Sequence, residues 1–163
     1  MAAEYSSVSE QTVEFGQPVL FTEDRVPCTR GFIFHQNGSG IFRAASRIAP
    51  PSFCGCNCNC NRLYETLYLT QFSGNIAIPE GGTLGEIILA ITIDGEPDPV
   101  SYMRLTPTAV DTYGNVSTAV LVPVPNICRC SSVSVRNVST TGEAILVQNA
   151  NIIFTPAGAQ VAN

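Results

Sequence analysis

The cysteines are the residues of this sequence whose type and spacing could support chemistry. Four of them occupy every second position in the stretch "FCGCNCNCNR", Phe53 to Arg62, and glycine or asparagine separates each from the next. One more cysteine lies upstream, and two lie downstream in "NICRC". Thiols in this arrangement could bind a metal, carry out redox chemistry or form disulfides, and each possibility predicts a different kind of protein.

The spacing favours covalent cross-links over the other two. In an extended chain, alternate residues lie ~6.6 Å apart at ~3.3 Å per residue. This is close to the ~6.8 Å upper limit for the Cα separation of a disulfide, so cysteines within the run are poorly placed to bridge one another. Cys128 and Cys130 have the same spacing and could form two parallel bridges with the run, each contributing about 2 to 4 kcal/mol. Cys28 could take a third partner, and the odd total leaves one thiol unpaired or joined to a neighbouring subunit. The predicted cross-linking residues are Cys28, Cys54, Cys56, Cys58, Cys60, Cys128 and Cys130.

A structural metal is the alternative interpretation of the same residues. Zinc and iron-sulfur sites usually space their ligands as C-x2-C or wider, whereas every close spacing here is C-x-C. Free thiols are a third possibility. A catalytic cysteine would need a base, and His35 is the only histidine. The sequence thus predicts no catalytic residue and no cofactor, with a possible metal site at Cys54, Cys56, Cys58, Cys60, Cys128 and Cys130.

Composition limits the classes of protein and partner. The chain has 163 residues, of which 45% are hydrophobic and 13% are charged, as expected of one folded domain. All eight basic residues are arginines scattered singly along a chain of net charge −5, so we expect no nucleic acid among the partners. The longest apolar run, "EIILAITI", is shorter than the ~20 residues of a membrane span, and we expect no membrane partner. "MAAEYSSVSEQ" does not resemble a signal peptide, which predicts synthesis in the cytoplasm without one.

Short β-branched and aromatic runs, separated by turn residues, dominate the rest of the sequence. They predict an all-β protein of eight to ten strands, while no stretch keeps a helical period. Asn37-Gly38 and Asp94-Gly95 have the composition of tight hairpin turns. The predicted runs are Thr12 to Phe21, Gly31 to His35, Gly40 to Ala44, Leu63 to Phe72, Leu84 to Ile93, Val100 to Leu105, Val116 to Val122, Ser131 to Val138 and Ala144 to Phe154.

Two of these runs are apolar on both faces. In "LGEIILAITIDG", Ile88 and Ala90 point away from the isoleucines and leucine on the other face, and in "YETLYLTQF", Leu67 and Leu69 point away from the aromatic residues. Because an ordinary sandwich buries one face of each sheet, the second face must meet another layer, a long loop or another copy of the chain, and an oligomer interface is the most economical of these. The predicted core and interface positions are Tyr64, Tyr68, Phe72, Ile87, Ile88, Leu89, Ile91 and Ile93.

Four stretches carry a family resemblance: "VEFGQPVLF", "GFIFHQNGSGIFRAA", "LYLTQFSGNIAIPEGGTLGEIILAITIDGEP" and "ILVQNANIIFTP". Together, from Val13 to Pro156, they resemble the C1q/TNF-like jelly rolls of bacterial and phage surface proteins. The resemblance implies a two-sheet antiparallel jelly-roll sandwich of ten strands that forms a homotrimer. It divides the chain into an N-terminal arm (1–12), a jelly-roll domain (13–156) with a cysteine-rich insertion at 53–61, and a C-terminal tail (157–163).

The chain differs from the spore-surface members of this family because it has no Gly-X-Y collagen stalk. A stalkless trimer looks more like a phage capsid decoration or head-fibre protein. The sequence analysis therefore predicts a structural, non-enzymatic homotrimer on the surface of a virion or extracellular particle. A spore-surface or extracellular filament subunit is the nearest alternative. A glycan-binding module is another, and it predicts exposed aromatic residues in loops.

Two further features have ordinary structural interpretations. His35 ends a strand run before the Asn37-Gly38 turn, which is typical of a surface or hairpin-capping histidine. Asn37, Asn115 and Asn137 each begin an N-x-S sequon, which matters only in a secretory pathway.

Overall fold

A computed structural model describes residues 2–28, 31–47, 64–126 and 130–161. Within these ranges no helix is long and apolar enough to cross a membrane, and the one helical element is a 3-10 turn at Pro99–Ser101. The strands are β1 (Ala3–Ser7), β2 (Gln11–Val13), β3 (Glu23–Val26), β4 (Ile33–His35), β5 (Phe42–Ala44), β6 (Tyr64–Ala77), β7 (Ile87–Ile93), β8 (Glu96–Pro97), β9 (Met103–Leu105), β10 (Gly114–Pro125), β11 (Ser131–Asn137) and β12 (Ile145–Val161).

The strands form two antiparallel sheets of six strands each. The front sheet has the order β10-β6-β12-β1-β3, with β2 also paired to β12. The back sheet has the order β4-β5-β11-β7-β8, with β9 also paired to β7. The predicted all-β, two-sheet antiparallel sandwich is therefore confirmed.

The core lies between the sheets because alternate residues of each strand point inward. Phe42 of the back sheet packs with its ring centroid 4.9 Å from that of Tyr5, 5.2 Å from Phe21 and 5.0 Å from Phe154. Each large apolar side chain buried in this way contributes about 1.5 to 3 kcal/mol to the free energy of folding. The two sheets are joined by one continuous hydrophobic cluster.

Strands β1 and β12 extend into the segments that the sequence analysis assigned to an arm (1–12) and a tail (157–163). β1 lies within residues 1–12 and pairs with β12 from Ala3 opposite Phe154 to Ser7 opposite Ala150. Ala3 and Tyr5 are buried in the core, and their alternation with polar residues is the period of a half-buried strand. At the other end, β12 continues beside β6 to Val161.

The second face of β7 is covered within the single chain. Ile88, Ala90 and Thr92 are all buried, although they point away from the core. Thr92 lies opposite Ser134 with their hydroxyl oxygens 2.6 Å apart, and Arg136, opposite Ala90, donates to the Ser134 hydroxyl. The apolar second face of β7 therefore does not require another subunit, which corrects the argument drawn from its sequence.

Candidate functional site

The outer face of the front sheet carries a group of apolar side chains that the core leaves half-buried or exposed. The even-numbered residues of β6 and β10 point into the core, so the odd-numbered residues point outward. Leu121 is 52% exposed and lies directly opposite Leu69, and Pro123 lies opposite Leu67. We call this surface the outer apolar patch, and its apolar members are Leu67, Leu69, Ala119, Leu121, Pro123 and Ile153; the exposed Gln71 lies between Ala119 and Ile153.

The surface around the outer apolar patch carries two carboxylates and no basic side chain from β6, β10 or β12. Glu65 of β6 accepts a hydrogen bond of 3.1 Å from the Gln160 amide. Glu4 of β1 lies opposite Ile153 and accepts a hydrogen bond of 2.7 Å from the Asn151 amide. On one side the patch merges into a shallow concavity of about 510 Å³ lined partly by Ser73, Ser117 and Asn151. Copies of such a surface could approach one another with little charge repulsion, because each carboxylate accepts a hydrogen bond from a neighbouring amide.

The positions predicted as core or interface divide into three groups. Tyr68, Phe72, Ile87, Leu89 and Ile91 lie in the hydrophobic core of the single chain. Ile88 is buried on the covered second face of β7, and Ile93 is partly buried against the core. Tyr64 is exposed at the start of β6.

The sequence analysis did not include Leu121 and Ile153 among the interface positions. The signal was present, because "AVLVPV" places Leu121 between two inward valines, and "NIIFT" places Ile153 between two inward residues. Only β6 and β7 were apolar enough on both faces to be recognised. A short apolar alternation in a strand of small residues gives a weaker pattern.

Two cysteines lie at one end of the sandwich. Cys28 is partly buried against the core, and its sulfur accepts a hydrogen bond of 3.3 Å from the Phe32 backbone N–H. Cys130 is exposed immediately before β11. Burial raises the pKa of Tyr68 to about 12; Arg47 opposes this rise, and Cys28 and Cys130 add to it. The Ala45 N–H donates to the Phe32 carbonyl at 2.8 Å, and Ser131, next to Cys130, lies opposite Ala44, so both cysteines lie near the end of β5.

The other predicted cross-linking residues, Cys54, Cys56, Cys58, Cys60 and Cys128, lie outside the described residues. The residues that flank their segments lie close together, however. The backbone N–H of Arg47 donates to the Thr66 hydroxyl at 2.9 Å, and the Asn126 N–H donates to the Tyr64 carbonyl at 2.9 Å. The chain thus enters and leaves both segments at the end of the sandwich where Cys28 and Cys130 lie.

The metal alternative rests on the same segments. In the part of the chain that the structure describes, no three histidine, cysteine, aspartate or glutamate side chains are grouped to hold a metal ion. The carboxylate of Asp94, in the turn after β7, accepts a hydrogen bond of 2.8 Å from the Ser132 backbone N–H.

His35 is a structural side chain in this fold. It is 1% exposed, and its ring is stacked on Phe42 with centroids 4.6 Å apart. Nδ1 lies 2.9 Å from the Asp24 carboxylate, and Nε2 lies 3.1 Å from the Ser39 carbonyl oxygen. Since both ring nitrogens are occupied, His35 joins β3 to the β4–β5 hairpin and is not placed to act as a general base.

A second concavity lies on the outside of this hairpin. It has a volume of about 430 Å³, and Phe34, Gln36, Ile41 and Arg43 are among its lining residues. Phe34 is 50% exposed and lies directly opposite Arg43 on the face of the hairpin that points away from the core. We call this site the hairpin concavity.

No protein-family model matches the chain, and no curated protein sequence matches it either. The structure is similar to that of the Eiger TNF from S. frugiperda, with a TM-score of 0.60, 9% sequence identity, and coverage of 98% of this chain and 94% of that chain. It also aligns with a CBM35 from Cellvibrio japonicus Abf62 over 100% of this chain and 99% of that chain, at 11% identity, but the TM-score of 0.38 is too low to support an argument. The first similarity confirms the jelly-roll fold and, at this identity, shows the fold alone.

Proposed function

We propose that the protein is a structural, non-enzymatic jelly roll that assembles into a homotrimer and decorates a phage capsid or a similar particle. The observation that carries the proposal is the outer apolar patch. Exposed apolar surfaces of this kind mark interaction sites in soluble proteins. The same apolar surface on two further copies of the chain has the chemistry to pack against it.

The trimeric state and the particle come from the resemblance to C1q/TNF-like surface proteins. In a closed homo-oligomer the apolar patch of every copy is buried against neighbouring copies, so none of these patches stays in contact with water. A location on a virion or extracellular particle follows from the same resemblance. Detection of the protein by mass spectrometry in purified virions would support it, whereas detection only in spore coats or filaments would favour the alternative subunit role.

Replacing Leu121 with aspartate is expected to dissociate the assembly. The side chain is already half exposed in the single chain, so the fold should tolerate the change, while three carboxylates buried in an apolar interface would be strongly unfavourable. We expect native mass spectrometry and light scattering at micromolar concentration to give a trimer for the wild type and a monomer for Leu121→Asp.

Val100→Asp is the matched control, because Val100 is 82% exposed and lies outside the outer apolar patch. This variant should remain trimeric. A monomeric wild type, or a Leu121→Asp variant that assembles as the wild type does, would show that the patch is not the subunit interface.

Cysteine cross-links are the second part of the proposal. Cys28, Cys130 and the chain ends of both cysteine-bearing segments share one end of the sandwich, where bridges would hold the segments to the core. We expect the intact mass of the native protein to rise by the mass of two hydrogens per bridge on reduction, with no metal found by elemental analysis. Stoichiometric zinc or iron, released together with free thiols on acid treatment, would instead establish the metal alternative.

A glycan-binding module is the second candidate function. The observation that favours it is Phe34, an aromatic side chain left half exposed beside Arg43 in the hairpin concavity. The sequence analysis required exposed aromatic residues in loops of such a module, and Phe34 differs in that it lies in strand β4. This candidate does not conflict with assembly, because the hairpin concavity and the outer apolar patch lie on different sheets.

A further inference from the structure

The hairpin concavity combines an apolar surface with a cation. Phe34 and Ile41, 50% and 44% exposed, supply the apolar surface. Arg43 supplies the cation and is exposed as well. Phe34 and Arg43 form a cross-strand pair, so their Cβ atoms are held about 5 Å apart by the β4–β5 ladder.

Arg43 has no partner among the described residues. The ion pairs found there join His35 to Asp24 and Arg104 to Glu86, and no hydrogen bond or aromatic stacking involves the Arg43 guanidinium. Arg104, by comparison, both pairs with Glu86 and lies over the Tyr102 ring. The guanidinium of Arg43 is thus available to bind an external anion.

The geometry of these groups selects a ligand chemistry. A guanidinium presents two parallel N–H donors that match a carboxylate. The exposed face of Phe34 offers a flat apolar surface, and the exposed amide of Gln36 can both donate and accept hydrogen bonds. A sugar acid has all three complements: a carboxylate, an apolar C–H face and hydroxyl groups.

We infer that the hairpin concavity binds an acidic saccharide, with the sugar ring against Phe34 and the carboxylate paired with Arg43. The inference rests on the second candidate function and names its ligand class. The volume of about 430 Å³ lies within the range of small-ligand sites and favours a short, compact ligand over an extended peptide. A neutral sugar would leave Arg43 unused.

The test is a titration of the isotopically labelled protein with sodium D-glucuronate and, separately, with D-glucose, followed by amide chemical shifts. The two sugars share a ring and differ in the carboxylate. Glucuronate should shift the amide signals of the β4–β5 hairpin and bind at least about tenfold more tightly than glucose, as expected for one charge-assisted bidentate contact. Equal affinities, or no shift with glucuronate, would overturn the inference.

Variants identify the groups involved. Arg43→Gln and Phe34→Ala should each weaken glucuronate binding at least about tenfold, the loss expected for one strong contact. Arg25→Gln and Phe15→Ala, which change an exposed arginine and an exposed phenylalanine outside the concavity, should bind as the wild type does. An acidic peptide that shifts the same signals more strongly than glucuronate would replace the saccharide with a protein partner.

The oligomeric state of the same variants separates this inference from the proposed assembly. Arg43→Gln and Phe34→Ala should keep the wild-type assembly, since neither residue lies on the front sheet. If these variants lose saccharide binding but remain trimeric, the proposed structural role is unaffected. A monomeric protein that binds glucuronate would retain this inference and remove the assembly.

Discussion

Replacing Asn137 with alanine is expected to lower the free energy of unfolding by about 3 to 4 kcal/mol, because it leaves several buried polar groups unpaired at about 1 to 3 kcal/mol each. The Asn137 amide nitrogen donates to the carbonyl oxygens of Val13 at 3.0 Å and Glu143 at 2.8 Å. Its oxygen accepts from the backbone N–H and the hydroxyl of Ser139. Equilibrium urea unfolding at a fixed protein concentration measures the change.

The network around Asn137 reaches further than its direct partners. The Ser139 hydroxyl, oriented by Asn137, accepts a hydrogen bond of 2.9 Å from the Ile88 backbone N–H. One fully buried amide thus connects β2, β7, β11 and the turn before β12. Because networks of this kind lose more than one bond when a member is removed, Asn137 should be among the most sensitive polar positions in the chain.

Asn37→Ala is the control for this prediction. Asn37 also begins an N-x-S sequon, but it is exposed in the β4–β5 turn. Its replacement should change the free energy of unfolding by less than about 1 kcal/mol, as for most surface substitutions. If both variants unfold at the same urea concentration as the wild type, the network does not stabilise the fold.

The sequence was sufficient to predict the sandwich because strand alternation is a local property. "LYLTQF" and "IILAITI" contain enough β-branched and aromatic residues to identify β6 and β7 without any knowledge of their neighbours. β1 and β3 were missed for the opposite reason. Ser6 and Ser7 make β1 resemble a polar arm, and β3 consists of Glu23, Asp24, Arg25 and Val26, which are all exposed at a sheet edge. Edge strands of this kind have little hydrophobic signal, because their charged side chains serve to prevent pairing with the strands of other molecules.

The sites depend on contacts that no local pattern encodes. The second face of β7 appeared to need a partner, but Ile88, Ala90 and Thr92 are already buried within the single chain. The outer apolar patch forms only because β10 aligns Leu121 with Leu69. Arg43 is one arginine among eight in the sequence, and it becomes notable only because, among the described residues, no partner occupies it beside Phe34.

The approach of the Pro18–Val19 segment to the β4–β5 hairpin is another long-range feature. The Val19 N–H donates to the Val135 carbonyl at 2.8 Å, which places this segment beside β11 in the back sheet. Phe21 then exchanges hydrogen bonds with the hairpin turn, donating to the Ser39 carbonyl at 3.0 Å and accepting from the Gly38 N–H at 2.9 Å. Gly40 is buried where the two segments cross.

Gly40→Ala is expected to lower the free energy of unfolding by about 2 to 3 kcal/mol, because an added methyl group in a filled site forces backbone shifts. A Cβ at Gly40 would lie 2.6 Å from the Cβ of Pro18 and closer still to the Val19 carbonyl oxygen, neither of which is the end of a flexible side chain. Gly38→Ala separates this steric effect from backbone strain: Gly38 has φ +77 and nothing within 4 Å of a Cβ, so its replacement should cost about 1 kcal/mol. In urea unfolding, Gly40→Ala should therefore be clearly less stable than Gly38→Ala. The reverse order would mean that the crossing relaxes freely and that the left-handed turn conformation is the stronger constraint on this hairpin.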